Sequence, residues 1–176
     1  MNKLSILEIV HDTSVDGPGF RTAIYAAGCA HKCPKCHNPE SWNMRNGIEY
    51  PIDILFQIIK ENEFANVTFS GGDPLMQVEG FTELARRIKA ETEKNIWCYT
   101  GFLYENILKS ERLSQILPFI DILVDGQYID GLRDEDLQFR GSGNQRIINV
   151  PKSLSKGEVI CAWDDKIIVF QALSRC

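Results

Sequence analysis

Arg21-Thr22-Ala23-Ile24-Tyr25-Ala26-Ala27 runs directly into Gly28-Cys29-Ala30-His31-Lys32-Cys33-Pro34-Lys35-Cys36. The first seven residues read as a β-strand, and the glycine after them as its end. The following eight carry three thiols, separated by three residues and then by two, with no fourth cysteine nearby. A structural zinc site usually takes four protein ligands. Three thiolates can instead hold three corners of a [4Fe–4S] cluster and leave one iron open, which points to chemistry rather than to a staple. Gly28 and Pro34 let the backbone curl so that Cys29, Cys33 and Cys36 can meet. Spacing alone leaves a second reading open, a zinc site completed by His31 or His37. Lys32 and Lys35, with Arg21 and Arg45 nearby, would steady a negatively charged cluster, or simply solvate the loop.

Outward from this stretch, Leu4–Val10 reads as a strand, joined to Arg21–Ala27 by the turn sequence Asp16-Gly17-Pro18-Gly19. Gly28–Trp42 is the cysteine loop. Pro51–Asn62 and Phe81–Glu93 place apolar residues at helical spacing. Asn66–Phe69 is a short strand ended by Ser70-Gly71-Gly72-Asp73-Pro74, and Ile96–Thr100 a strand closed by Gly101. Tyr104–Ile120 reads as helix with a break expected near Pro118. Ile122–Val124 is a strand ended by Asp125-Gly126, and Arg146–Val150 and Lys166–Phe170 are the last strand candidates. Alternating strands and helices predict an α/β fold of mostly parallel strands with crossover helices. In such sheets ligands gather at the C-terminal strand ends. The cysteine loop, Ser70–Pro74, Thr100-Gly101 and Asp125-Gly126 all follow strands, so they should share one edge.

With 176 residues and no repeat, low-complexity stretch or linker, the chain is expected to form a single domain over residues 1–176. A net charge of −5 argues against a general nucleic-acid or membrane-surface binder. No apolar run approaches a membrane span, and no apolar region follows Met1–Ser5, so neither a membrane anchor nor a signal peptide is expected and the cytoplasm is the expected location. In that compartment six cysteines read as ligands or packing residues rather than disulfides. Cys98 and Cys161 are expected to be buried, and Cys176 is terminal.

The other loops carry weaker signals. Gly71 and Gly72 would let a ligand approach the backbone, where carbonyls accept from an ammonium group and Asp73 offsets its charge; a tight strand-to-helix turn would look the same. Asp16–Arg21 and Gln138–Arg146 are glycine-rich and polar, suited to admitting a partner's backbone or to serving as plain surface loops.

These residues together resemble the radical S-adenosylmethionine enzymes. The run Asp16–Arg21, the segment Gly28–Glu40 and Trp42 narrow the resemblance to the activases of glycyl-radical enzymes. Val67–Leu75, Trp97–Gly101 and the stretch from Leu123–Gly126 through Phe139–Arg146 are similar to the branch that serves anaerobic ribonucleotide reductases. The likeness spans about residues 8–150. It implies a partial, incomplete TIM-like barrel and one [4Fe–4S] cluster on Cys29, Cys33 and Cys36. It also implies S-adenosylmethionine bound by Lys35, Cys36, His37, Gly71, Gly72 and Asp73. The partner implied is the large subunit of an anaerobic ribonucleotide reductase, its glycine-bearing segment facing Asp16, Gly17, Gly19, Arg21, Arg140 and Asn144. A low-potential donor such as flavodoxin or ferredoxin would supply the electron. Activases of pyruvate formate-lyase type are similar but longer and typically have Glu where Asp73 stands. Lys35 departs from the aromatic that many radical enzymes carry before the third cysteine. An enzyme acting on a small molecule and a non-enzymatic metal-binding module are the competing classes.

Overall fold

The computed structural model describes residues 3–162. Among them one seven-stranded sheet runs in the order β3-β1-β2-β4-β5-β6-β7. Its strands are β1 (Lys3–Thr13), β2 (Arg21–Ala26), β3 (Ile48–Pro51), β4 (Asn66–Gly71), β5 (Ile96–Tyr99), β6 (Ile122–Asp125) and β7 (Arg146–Asn149). The helices are α1 (Ile52–Glu61), α2 (Val78–Glu91), α3 (Tyr104–Leu108), α4 (Glu111–Ser114) and α5 (Val150–Lys156). β2, β4, β5 and β6 are parallel. β1 runs antiparallel to β2, because the short link between Thr13 and Arg21 cannot hold a crossover. β3 and β7 are also antiparallel to their neighbours. They leave the sheet open, with two edges rather than a closed barrel. β3 escapes the sequence reading because it is four residues long, mostly exposed, and ends in a proline that only an edge strand tolerates.

Alternation divides the sheet into two faces. Ile24, Val67, Phe69, Ile96, Cys98, Leu123 and Ile148 face the helices and form the main core with Leu55, Ile59, Phe81 and Leu84. Trp97, Val124 and Ile147 lie on the opposite face, packed by Tyr99 and Phe139. The expected helix Tyr104–Ile120 is interrupted twice. Ser110 caps α4 by accepting from the Leu113 amide, and Pro118 sits in a 3-10 turn over Leu117–Phe119. Cys98 is buried as expected, whereas Cys161 is exposed, since it lies on the single bridge to Ile148 beyond the last helix. The expected strand Lys166–Phe170 and Cys176 fall outside the described residues.

The β2–β4 register pairs Ala26 with Gly71, which brings the loops after both strands to one end. The Gly72 amide donates to Ala26 O at 2.8 Å and the Asp73 amide to Gly28 O at 2.9 Å. A side chain on Gly71 would stand 2.5 Å from the Ala26 nitrogen, and one on Gly72 2.6 Å from Gly28 O. The paired glycines are therefore required by the approach of two chain segments, before any ligand is considered.

Candidate cluster and cofactor site

The cysteine loop is shaped by two left-handed residues, Lys32 (φ +49) and Lys35 (φ +56), each directly before a cysteine. A non-glycine residue in this region costs about 1–2 kcal/mol. The two turns bring Cys29, Cys33 and Cys36 to the wall of one cavity of about 230 Å³. Its other walls come from the strand ends: Ser70, Gly71 and Gly72 after β4, Tyr99, Thr100 and Gly101 after β5, and Gly126, Gln127 and Tyr128 after β6. The convergence expected from topology is thus observed. Cys33 is buried and the other two thiols are partly exposed. Burial pushes the Cys29 thiol up from its ordinary pKa. Among the described residues no three His, Cys, Asp or Glu side chains gather as a site for a single metal ion. Three thiols share the cavity wall, and Asn38, also on the wall, keeps its side-chain oxygen buried without a partner.

Of the residues expected to contact S-adenosylmethionine, Cys36, His37, Gly71 and Gly72 line the cavity, while Lys35 and Asp73 do not. The Lys35 side chain turns outward and donates to Asp130 Oδ2 at 2.8 Å. Asp73 is fully buried. Its carboxylate accepts from the Leu75 amide at 2.9 Å, from the Thr100 hydroxyl at 2.9 and 3.0 Å, and from the Gly101 amide at 3.0 Å. His31 Nε2 completes the set at 2.7 Å. With both oxygens committed, this carboxylate pins the cysteine loop, the glycine loop and the end of β5 together. The other ring nitrogen of His31 meets Gln127 Nε2 at 3.2 Å. Both nitrogens are engaged, which removes His31 as the fourth ligand of a zinc site. His37 rests on Tyr128, ring centroids 5.2 Å apart.

The expected partner loops differ as strongly. Arg21 is fully buried, not a surface contact. Its guanidinium donates to Thr68 Oγ1 and Val67 O, both at 2.6 Å, and to Asn95 Oδ1 at 2.8 Å, and lies 5.4 Å from the Trp97 ring centre. Burial pulls its pKa down to about 10, which still leaves it charged at neutral pH. Arg21 begins β2, and its fork reaches across to β4 and the start of β5 on the face away from the helices. Gly17 (φ +133) is buried over it; a side chain there would stand 2.8 Å from Arg21 Cδ. Asp16 accepts from the Tyr25 phenol at 2.7 Å. Gly19 (φ +73) lies in open space. Arg140 donates to Gln145 O at 3.1 Å, and Asn144 to Gln127 O at 2.8 Å. Asp16 and Arg140 border a second groove that shares His37, Tyr99 and Gly141 with the main cavity. Gly17, Arg21 and Asn144 line neither.

The segment 127–130 had no assigned role in sequence, yet it touches the cysteine loop at three points: Gln127 at His31, Tyr128 at His37 and Asp130 at Lys35. Its sequence signals were its place directly after a strand end and its position within the family-like stretch from Leu123 to Arg146, neither of which singles out a side chain.

The family described as a 4Fe-4S single cluster domain matches residues 15–148, which hold the whole cavity. A protein of Vibrio cholerae named anaerobic ribonucleoside-triphosphate reductase-activating protein is 34% identical over 141 residues, covering 76% of this chain and 90% of its own length. The chain belongs to the family of anaerobic ribonucleoside-triphosphate reductase-activating proteins. Relatives of the same name are 36% identical in Haemophilus influenzae, again over 76% of this chain and 90% of the relative, and 35% identical in Enterobacteria phage T4, over 76% and 86%. No helix among the described residues is long and apolar enough to cross a membrane.

Proposed function

We propose that this chain activates an anaerobic ribonucleoside-triphosphate reductase by forming a glycyl radical on it, through reductive cleavage of S-adenosylmethionine at a [4Fe–4S] cluster held by Cys29, Cys33 and Cys36. The observation that carries this reading is one cavity lined by all three cysteines and by Gly71 and Gly72, in a chain of this family. A bound cluster with an open iron supplies one low-potential electron to the sulfonium of S-adenosylmethionine.

The chain's own residues position and enclose. Cys36 and His37 border the nucleoside side. Gly71 and Gly72 border the methionyl side, with backbone carbonyls suited to an ammonium group. Asp73 acts from behind them, holding their turn through the Thr100, Gly101 and His31 contacts. Tyr99 lies on the wall with its phenol donated to Phe139 O at 2.8 Å, so its hydroxyl is occupied internally. The groove bordered by Asp16 and Arg140 leads into the cavity past His37 and Gly141, and a glycine-bearing segment of the reductase large subunit entering there would complete the enclosure. Exclusion of water protects a reactive radical from side reactions. In this reading the open sheet is the incomplete barrel of a single radical S-adenosylmethionine domain, working in the cytoplasm with a flavodoxin- or ferredoxin-type donor.

Electron paramagnetic resonance of the anaerobic protein mixed with reductase, reductant and S-adenosylmethionine tests the proposal. A glycyl doublet on the large subunit is expected. Cleavage of S-adenosylmethionine without that doublet, with a small molecule consumed instead, would overturn it.

A further inference from the structure

We infer that Tyr128 is the flat wall against which the purine of S-adenosylmethionine stacks, and that Asp130 positions it. The inference rests on the proposed cofactor and goes beyond it by naming a residue to which the sequence reading gave no role.

A sulfonium beside the cysteines leaves its nucleoside within reach of Cys36 and His37. A purine is a flat, apolar surface with a polar rim, and an aromatic face is its natural support. Lys35 offers none: it is charged and turned outward to Asp130. Two phenol rings line the cavity, Tyr99 and Tyr128. Tyr99 rises from β5 toward the groove side, its hydroxyl tied to Phe139. Tyr128 is the ring in contact with His37, one residue from the third cysteine. It is also held in place. Its phenol donates to Asp130 Oδ1 at 3.1 Å, while the other oxygen of the same carboxylate takes the Lys35 ammonium. Gly141 brackets the ring from another side, and a side chain there would stand 3.2 Å from Tyr128 Cδ2. Lys35 thus contributes through the loop it anchors, and an aromatic from the neighbouring strand end stands where the cysteine loop has none.

The test uses anaerobically reconstituted holoprotein with iron measured for each variant, and equilibrium dialysis against two ligands. One is S-adenosylmethionine; the other is methionine, which keeps the amino and carboxylate groups and lacks the purine. Tyr128→Ala and Tyr128→Leu should weaken S-adenosylmethionine by roughly five- to 150-fold, the range of base stacking on an aromatic. Methionine binding should not change, and Tyr128→Phe, which keeps the flat face and loses the hydrogen bond to Asp130, should lose far less S-adenosylmethionine affinity than Tyr128→Leu. Asp130→Asn should give a smaller loss, again confined to S-adenosylmethionine. Undiminished S-adenosylmethionine binding in Tyr128→Leu would overturn the inference. So would a fall in methionine binding in step with it, or loss of iron from both the Ala and Leu variants, since either marks the ring as a support of the cysteine loop. If the parent holoprotein bound methionine but not S-adenosylmethionine, the cofactor reading itself would fall, a result distinct from any difference between variants.

Discussion

His31 Nε2 lies 2.7 Å from Asp73 Oδ2, and this contact joins the cysteine loop to the glycine loop inside the protein. Both side chains are almost wholly removed from solvent, 9% and 1% exposed. Around it, the Asp73 carboxylate gathers two amides and a hydroxyl from segments far apart in sequence. The geometry of the cavity therefore depends on a carboxylate that does not line it.

Asp73→Ala should cost folding stability first. It strands the Leu75 and Gly101 amides and the Thr100 hydroxyl in a buried place, where each unsatisfied group costs about 1–3 kcal/mol. A loss of about 3 kcal/mol or more in anaerobic urea unfolding is expected, with cofactor affinity falling as a consequence. Unchanged stability alongside weakened S-adenosylmethionine binding would restore a direct ligand role for Asp73.

Arg21→Ala should likewise act through the fold. Thr68, Val67 and Asn95 lose their common donor, and since each buried polar group left unpaired costs about 1–3 kcal/mol, a loss of about 3 kcal/mol follows. Arg21→Lys should recover little, because an ammonium cannot reproduce the planar fork. Thermal unfolding of both variants checks this. Native stability with reduced glycyl-radical yield would instead mark Arg21 as a partner contact.

Replacing Cys29, Cys33 or Cys36 by Ala should lower bound iron and abolish reductive cleavage of S-adenosylmethionine. Cys98→Ala removes a buried thiol from the core and should cost about 1 kcal/mol with iron content retained. Cys161→Ala, at an exposed position, should change neither. Iron and sulfide analysis of anaerobically prepared variants distinguishes these outcomes.

Glu105 gives a pH signature. Its hydrogen bonds to Arg146, at 2.8 and 2.9 Å, hold its carboxyl down to about 2 from an ordinary 4.5. A carboxyl lowered in the folded state contributes stability that is present above its unfolded value and lost as pH falls through the folded one. Glu105→Gln should therefore be less stable than the parent at pH 7, by under about 1 kcal/mol because both partners are partly exposed. The gap should close between about pH 4.5 and 2. Urea midpoints across that range provide the measurement, and a gap that persists to pH 2 would contradict the assignment.

What the sequence by itself determined is the short-range part of this protein. The strand Arg21–Ala26, the helical periodicity of α1 and α2, the thiol spacing and the glycines after β4 all follow from neighbours a few residues apart, and backbone sterics and amphipathic burial act at that range. The gathering of loops at one sheet edge was also legible, because a parallel sheet with crossovers permits no other arrangement. Tertiary structure alone decided what each polar side chain does. Asp73 and Arg21 look like ligand and partner contacts in a linear chain, yet β4, β5 and the loop over Gly17 bury them, and a buried charge must spend its hydrogen bonds internally. Tyr128 sits in a family-like stretch, yet nothing in its own neighbourhood assigns it a role. It gains a place on the cavity wall because the end of β6 falls beside His37, ninety-one residues earlier in the chain, and no local rule of spacing reaches that far.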